Sequence, residues 1–486
     1  MRFATTTRLA AATVAGLLAV LVPVAPVYAQ PSAGPADLGD TMAAPPPLPP
    51  GTEPPTDFGK PDVPYKQKNQ CVTTFNDTVD LPNKPWGQIQ LRFDELHRFA
   101  TGVGQKVAVI DTGVNRHDFF EGRLSGGGDY VFQNDDGLRD CDGHGTEVAG
   151  IIAAKPPANS GIGFKGIAPD ATIISIRQSS ANYDYEPQNR DDPNDQPREA
   201  AGNLITLAQA IVRAANAVPH GVINMSVDNC RRADLGPISL AERQVQAALR
   251  YAVEVQDVVP VSSAGNTGES NCPNQNDSPD PNRPNSIVIP PWFSDDVISV
   301  AAMERNGDPA KFSVQGPWVT VAAPGTEITS LDPGNNKGLA NRLATRDGKK
   351  SEIQGTSFAS PYVAGLAALI RDRYKQLDAR QVMNRIKVTA SHPAATGGRD
   401  SLVGYGMINP IAALTAEIPS EQGIAADKAI TIPWEVPEAA RRDWAPMTVA
   451  LLGSAGGLGV LLLTLFVVHT IRRNRRAQEP DARPGW

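Results

Sequence analysis

The sequence predicts an α/β fold, in which helices flank a parallel β-sheet, with one transmembrane helix near the C-terminus. From Lys106 onward short apolar runs alternate with amphipathic segments, which is the pattern of strands joined by crossover helices. The runs are apolar on both faces, as expected for strands buried inside a parallel sheet. A separate apolar stretch without charges covers residues 447–468. Together these three observations define the fold class.

Five of the apolar runs are predicted to form strands of the sheet: residues 106–110, 172–176, 222–225, 258–262 and 297–301. Four segments repeat apolar residues at three- and four-residue spacing and are predicted to form helices: residues 144–154, 204–218, 240–255 and 357–374. In the second of these, Leu204, Leu207 and Ile211 recur on one face. Each helix therefore has an apolar side with which it can cover the sheet.

The first 29 residues have the pattern of an export signal. Arg2 and Arg8 flank the start of an apolar run at 9–24, and Ala29 ends a group that suits signal peptidase. The apolar run is short for a spanning helix, which needs about 20 residues. We expect cleavage after Ala29, with an uncleaved N-terminal anchor as the alternative.

Residues 447–468 are predicted to cross a membrane. Such a stretch inserts as a helix because hydrocarbon cannot solvate unpaired backbone groups. Four arginines follow it and hold its far end in the cytoplasm: Arg472, Arg473, Arg475 and Arg476. A cytoplasmic tail at 469–486 is therefore expected, with residues 30–446 outside the cytoplasm in a single-pass cell-membrane protein.

The remaining boundaries follow from composition. Eleven prolines lie between residues 31 and 64, so the segment 30–70 is predicted to be a linker or a strap rather than a domain. Residues 71–417 form the predicted globular domain and 418–446 a tether to the membrane. Within the domain, 179–202 and 333–350 are predicted surface loops, either lining access to a site or varying freely.

The formal net charge of −7, from 45 basic and 52 acidic residues, offers no broad cationic face. We therefore expect no nucleic-acid partner.

The exported part contains four cysteines, an even number that an oxidising compartment allows to form two disulfides: Cys71, Cys141, Cys230 and Cys272. Four cysteines permit three connectivities, and spacing does not choose among them. A zinc site is disfavoured because the sequence has no Cys-x-x-Cys pair. No calcium-loop pattern stands out either, so no metal or other cofactor is expected.

Three residues carry the parts of a nucleophilic site. Asp111 directly follows the first predicted strand, so its carboxylate emerges at the carboxyl edge of the sheet, although acidic turns there are common. His144 lies between two glycines at the start of a predicted helix, whose positive end favours the neutral imidazole; a structural histidine is the alternative. Peptide hydrolysis by a serine needs such a base and such a carboxylate.

The third residue is Ser357, in the segment Gly-Thr-Ser-Phe-Ala-Ser-Pro ahead of a long apolar helix. At a helix start the backbone N–H of such a serine points into the site, where it can bind an oxyanion. A simple helix cap is the alternative, but the length of the pattern makes a chance match remote.

With these motifs in the order Asp, His, Ser, residues 93–410 resemble the subtilisin-like serine protease family. The match extends to Ser262-Ser263-Ala264-Gly265-Asn266, where Asn266 corresponds to the oxyanion-hole asparagine of the family. The resemblance implies a subtilisin-like fold and an endopeptidase that cleaves peptide or protein substrates. It also implies a catalytic triad of Asp111, His144 and Ser357, assisted by Asn266.

The whole arrangement of export signal, proline-rich segment, four cysteines and C-terminal helix resembles the mycosins, the membrane-anchored subtilases of actinobacterial type VII secretion systems. This resemblance implies membrane proteins of a secretion channel as partners and secreted proteins as substrates. It also implies disulfides between Cys71 and Cys141 and between Cys230 and Cys272.

One departure concerns the pocket wall after Asn224-Met225-Ser226. The family often continues with a hydrophobic residue and glycines, whereas here Val227 precedes Asp228 and Asn229. The substrate preference therefore does not follow from the resemblance.

Two other functions compete with the protease hypothesis. The chain could act chiefly as a structural component that stabilises a secretion complex, with proteolysis secondary. A degradative protease for nutrients is the other alternative, which the membrane helix disfavours because anchoring offers such an enzyme little.

Overall fold

The computed structural model describes residues 43–75, 82–187, 197–268, 272, 275–277, 280, 282–344, 349–424 and 444–476. The predicted export signal lies outside these residues, as do most of the predicted tether and the end of the predicted tail. The described residues fall into two compact units, which divide between Gly423 and Ile424.

The first unit contains all the strands that the structure describes: β1 Lys66–Gln67, β2 Thr74–Phe75, β3 Lys106–Asp111, β4 Leu124–Asp129, β5 Thr172–Arg177, β6 Tyr183–Asp184, β7 Val222–Met225, β8 Asn229–Arg232, β9 Val259–Ser263, β10 Ser286–Ile289, β11 Ile298–Met303, β12 Val321–Pro324, β13 Ser330–Leu331, β14 Leu339–Ala340, β15 Arg342–Ala344 and β16 Lys350–Glu352. Seven of them form one sheet in the order β12-β11-β9-β7-β3-β5-β4. Every neighbouring pair in this sheet is parallel.

The helices of the described residues are α1 Trp86–Gln90, α2 Phe93–Leu96, α3 His144–Ala153, α4 Leu204–Ala217, α5 Leu240–Glu254, α6 Thr356–Arg373, α7 Ala379–Thr389, α8 Pro410–Thr415 and α9 Ala445–Arg476. Capping boxes begin three of them, where the side chains of Asn203, Ser239 and Asp378 accept from backbone N–H groups of the first turn. These capping side chains accept hydrogen bonds from backbone N–H groups that have no partner inside the helix.

Alternate residues of β3 face the two layers of helices. Val107 and Val109 belong to the apolar cluster that includes residues of α3 and α6. Ala108 and Ile110 belong to the cluster that includes residues of α4 and α5. Because both faces of the strand are buried, its sequence is apolar without alternation, as the pattern predicted.

The five predicted strands and the predicted helices of this unit are confirmed to within two residues at their ends. Strand β4 was not predicted, because its residues Leu-Ser-Gly-Gly-Gly-Asp lack the expected apolar run. Its glycines are required by close packing, since a Cβ at Gly127 would lie 2.7 Å from Cγ2 of Ile174. Strand β12 and helix α7 were not predicted either.

Residues 43–75, which are the described part of the predicted extension and the first five residues of the predicted domain, form a strap fastened to the domain. Strand β1 pairs with β6, and the phenol of Tyr65 lies in an apolar cluster with Tyr183. Further along the strap, the backbone N–H of Val72 donates to the carbonyl of Cys141 at 2.8 Å. The structure thus favours the strap over the linker for these residues.

Both disulfides join segments that are distant in sequence. Cys71 of the strap is bonded to Cys141, 70 residues away, and Cys230 is bonded to Cys272. This is the pairing that the resemblance implied. The first bridge ends three residues before His144, so it ties the strap to the loop that carries this histidine.

Most described residues of the second unit belong to α9. Residues 445–475 form the one described helix that is long and apolar enough to cross a membrane, with a mean hydropathy of 2.3 in its most apolar window. This helix includes the predicted transmembrane residues 447–468. It has the length that a bilayer of about 30 Å requires.

Candidate active site

The carboxyl edge of the sheet brings the predicted site residues together. Asp111 ends β3, His144 begins α3, and Ser357 lies in the first turn of α6. Asn266 follows β9 by three residues. Because parallel strands end on the same side, loops that are far apart in sequence meet there.

Asp111 and His144 are directly hydrogen-bonded. The Nδ1 atom of His144 lies 2.7 Å from the Oδ1 atom of Asp111, whose side chain is fully buried. The backbone N–H of Thr112 donates to the same oxygen at 2.7 Å, which orients the carboxylate. When Nδ1 carries the proton, Nε2 of the neutral ring is left as an acceptor.

The pKa of His144 reflects two opposed effects. Burial lowers it, because desolvation disfavours the imidazolium. The negative charge of Asp111 and its hydrogen bond act in the other direction, with smaller contributions from Glu147 and Asp140. The charges prevail and raise the pKa of His144 to about 9.

Ser357 lies in the same groove as His144 and is largely buried. Its hydroxyl donates to the carbonyl of Ser226 at 3.4 Å. Its own carbonyl lacks a helical donor, because position 361, four residues on, is a proline without an N–H. The hydroxyls of Ser226 and Ser360 donate to that carbonyl instead, at 2.7 and 3.3 Å, and so fix the start of the helix.

Asn266 is positioned by its amide oxygen. This oxygen accepts from the backbone N–H of Thr356 at 2.9 Å and from its hydroxyl at 3.0 Å. A Cβ added at Gly355 would lie 3.7 Å from both Asn266 Nδ2 and the backbone nitrogen of Ser357. Because Gly355 has no side chain, the amide nitrogen of Asn266 and the backbone nitrogen of Ser357 border the space that a Cβ there would fill.

Asp140 supports the site and was not predicted from the sequence. Its carboxylate accepts four hydrogen bonds: from the hydroxyl of Thr112 at 2.8 Å, the N–H of Gly143 at 2.7 Å, and the N–H and hydroxyl of Thr146 at 2.8 and 2.7 Å. Burial raises the pKa of Asp140 to about 7, although these hydrogen bonds lower it. The sequence feature that could have indicated Asp140 is an aspartate placed shortly before the start of α3. No side chain at the N-cap position of this helix makes the capping hydrogen bond.

A groove of about 410 Å³ passes the site. Its walls come from the loop after β5, the start of α4, the segment after β7 and the two site residues: His144, Gln178, Ser179, Ala200, Ala201, Gly202, Asn203, Leu204, Leu207, Ser226, Val227, Asp228, Asn229 and Ser357. Part of the predicted loop 179–202 therefore lines the groove. An extended peptide fits such an open cleft better than a small ligand does.

Among the described residues, one group has the proximity of metal ligands. The carboxylate of Asp228 and the sulfurs of Cys230 and Cys272 lie within 4.8 Å of one another. The two sulfurs are joined in a disulfide, so they offer no thiolate to a metal.

The family and the relatives of the chain agree with this geometry. The Subtilase family model matches residues 102–406. Mycosin-1 of Mycobacterium tuberculosis is 41% identical over 434 residues, which cover 86% of this chain and 93% of that protein.

Two solved structures are also similar. The serine protease MycP1, described as an essential component of the type VII (ESX-1) secretion system, matches with a TM-score of 0.69 and 42% identity, covering 77% of this chain and all of that one. A chain in the periplasmic assembly from the ESX-5 inner membrane complex matches with a TM-score of 0.71 and 38% identity, covering 82% of this chain and 99% of that one.

A parallel sheet of this order, with these residues at its carboxyl edge, defines a serine endopeptidase of the subtilisin type. The chain belongs to the subtilase family and, within it, to the mycosins. The family predicted from the motifs is thereby confirmed.

Proposed function

We propose that the chain is a membrane-anchored endopeptidase that cleaves secreted proteins outside the cytoplasm through Asp111, His144 and Ser357. The observation that carries this proposal is the 2.7 Å hydrogen bond between His144 and the buried Asp111, in the groove that Ser357 also lines. It combines a base, a group that orients the base, and a nucleophile in one accessible place.

The reaction begins when the Ser357 hydroxyl rotates from the carbonyl of Ser226 toward Nε2 of His144. Oγ attacks the scissile carbonyl while its proton passes to His144, and Asp111 stabilises the imidazolium. The carbonyl oxygen becomes an oxyanion in the space beside Gly355, where Asn266 Nδ2 and the N–H of Ser357 donate to it. His144 then protonates the leaving amine.

An acyl-enzyme remains after the first product departs. Water enters the groove and gives a proton to Nε2 of His144 as it attacks the ester carbonyl. The same two donors hold the second oxyanion. Its collapse breaks the bond to Oγ, and the proton returns from His144 to Ser357.

Two sequence features support the location of the protease domain. The predicted export signal and the arginines at the C-terminal end of α9 both favour the extracytoplasmic side. We also propose that the membrane proteins of a type VII secretion complex are its partners. The relatives support this, since one is described as a component of such a system and one belongs to a periplasmic assembly.

Labelling with a fluorophosphonate probe tests the triad. The full chain, purified in detergent, is expected to label at Ser357, because a serine nucleophile activated by a histidine attacks the phosphorus of the probe. Ser357→Ala and His144→Ala are expected to abolish labelling. Ser420→Ala changes only an exposed serine and is expected to label like the wild type. Labelling that survives in Ser357→Ala, or a folded wild-type chain that does not label, would refute the proposed mechanism.

Purification of the secretion membrane complex tests the partner proposal. The tagged full chain is expected to copurify with membrane proteins of the complex, both as wild type and as Ser357→Ala. Association should not depend on the nucleophile, because the groove is distinct from the membrane helix. Absence of the chain from an intact complex would contradict the proposal while leaving the protease mechanism standing.

A further inference from the structure

The wall of the groove next to Ser357 carries a negative charge. Asp228 follows Ser226 by two residues and lies among the residues that line the groove. Among these described lining residues, Asp228 is the single carboxylic acid, and none is Lys or Arg. The charge at this wall is therefore set by Asp228, together with the protonation of His144.

Asp228 is held between the chain segments that leave two neighbouring strands. The hydroxyl of Ser263 donates to its Oδ2 atom at 3.2 Å. Ser263 ends β9 and is fully buried, three residues before Asn266. The hydrogen bond from Ser263 to Asp228 therefore links two segments. One is the segment after β7, which contacts Ser357, and the other carries Asn266.

The disulfide Cys230–Cys272 lies behind this carboxylate. One carboxylate oxygen of Asp228 lies within 4.8 Å of both sulfurs, and both cysteines are buried. A disulfide carries no charge and binds water poorly. Next to such a surface the interaction between two charges is screened less than it is in open water.

The position of the scissile carbonyl decides which substrate residue meets Asp228. The carbonyl oxygen has to lie between Asn266 Nδ2 and the N–H of Ser357, beside Gly355. The side chain of the residue that supplies this carbonyl then lies against the wall of the groove beside Ser357, to which the segment 226–229 contributes. Asp228 is the acidic side chain of that wall.

We propose that Asp228 selects substrates with lysine or arginine at the residue that supplies the attacked carbonyl. This inference rests on the proposed function, because it assumes that Ser357 is the nucleophile. The aliphatic part of such a side chain packs along Val227, and its cationic end pairs with the carboxylate. An acidic residue at the same place is repelled.

Paired peptide substrates test the proposal with the full chain in detergent. Two fluorogenic peptides differ only at the residue before the scissile bond, which is lysine in one and its uncharged counterpart norleucine in the other. We expect kcat/KM to be at least about tenfold higher for lysine, because close charge pairs at interfaces contribute this much or more. Equal values for the two peptides would overturn the proposal.

Variants assign the preference to this carboxylate. Asp228→Asn is expected to bring the ratio of lysine to norleucine close to unity, whereas Asp228→Glu keeps most of it. Asp234→Asn removes an equal charge from an exposed side chain outside the groove and should leave the ratio unchanged. A preference that survives in folded Asp228→Asn also overturns the proposal.

Binding to Ser357→Ala separates this inference from the proposed function. Fluorescence anisotropy of the two peptides, labelled, requires no catalysis, and the lysine peptide is expected to bind at least about tenfold more tightly. If the wild-type chain fails to label but this preference is present, the catalytic proposal falls and the selectivity of the pocket stands. If the chain labels and the peptides bind equally, the selectivity falls alone.

Discussion

At the scale of single residues, the site depends on how each polar group is held. Asp111 is fully buried and bonded to both Thr112 and His144, so its carboxylate has little freedom. Asn266 is fixed through its oxygen, which leaves its Nδ2 directed to the space beside Gly355. Groups that are oriented before the substrate arrives need no reorganisation when charge develops in the transition state.

Replacement of Asn266 by alanine should reduce catalysis with little effect on substrate binding. We expect kcat to fall by about 10²–10³, or roughly 2.7–4 kcal/mol, because one of two oxyanion donors is lost. Steady-state kinetics on a peptide substrate measures this. Thr356→Val removes a hydroxyl from the amide oxygen but no oxyanion donor, so its smaller effect serves as the control. An unchanged kcat in Asn266→Ala would contradict the role of this residue.

The pH dependence of kcat/KM should report the charge of His144. The base has to be neutral, and its pKa is raised to about 9, so activity is expected to increase with pH until the imidazolium is deprotonated near that value. In Asp111→Asn the effect of burial remains without the neighbouring charge, so the midpoint should fall below that of the wild type.

The same variant should lose about 10⁴ in kcat, because the orienting carboxylate is gone. Rates of the wild type, Asp111→Asn and the exposed-charge control Asp234→Asn across the pH range test both expectations. A midpoint that stays in place in Asp111→Asn would show that Asp111 does not control the pKa of His144.

At the scale of elements, helix α6 connects the site to the core. Its first turn presents Ser357, while the rest of the helix packs against α3 and the sheet. Gly365 lies where the helix contacts Ile167 so closely that a side chain has no room. The position of the nucleophile therefore depends on the packing of a helix that is buried over most of its length.

Substitution of Gly365 by alanine should destabilise the domain. The added Cβ would lie 2.0 Å from Cγ2 of Ile167, so helix and loop must move apart. We expect a loss of about 1–3 kcal/mol in the free energy of unfolding, as for other overpacked cores. Denaturant titration followed by tryptophan fluorescence measures it. Gly334→Ala, whose nearest atom is at 3.4 Å, is the matched control, and equal midpoints for the two variants would contradict the prediction.

At the scale of the whole molecule, the chain combines a catalytic unit with a helix that is long and apolar enough to cross a membrane. The strap fastens the N-terminal segment to the catalytic unit. The segment after α8 is fastened to it by Arg385, whose Nε donates to the carboxylate of Glu421 at 2.7 Å. All four cysteines are in disulfides, as expected for a protein folded outside the cytoplasm. If the proposed function holds, anchoring keeps the protease close to the place where secreted substrates emerge.

Cysteine labelling should reveal the orientation in the membrane. Ser420→Cys, on the catalytic unit, is expected to react with an impermeant maleimide in right-side-out vesicles, whereas Ala477→Cys is expected to react only after permeabilisation, because the arginines keep the tail inside. The wild-type chain has no free cysteine and gives the background. The opposite pattern would place the protease domain in the cytoplasm and contradict the proposed location.

Local patterns were sufficient for the fold class and for the selection of Asp111, His144 and Ser357, which the fold places at one edge of the sheet. Buried parallel strands are apolar without interruption, and helices on a sheet repeat apolar residues at helical spacing, so both are visible in a few consecutive residues. Asp111, His144 and Ser357 each lie in a short motif at the start or end of such an element. The membrane helix was equally visible, because its length and lack of charge are local properties.

Long-range contacts set what these patterns could not. The bond from Thr112 to Asp140, the bond from Ser263 to Asp228, and the path of the strap each join segments that are separate in the sequence. Edge strand β4 was not predicted because its glycines meet the close approach of distant segments, which the local pattern does not show. The spacing of residues along the chain shows which of them share a face of one element. Which faces meet depends on how all the elements pack. The charge in the groove depends on that packing as well.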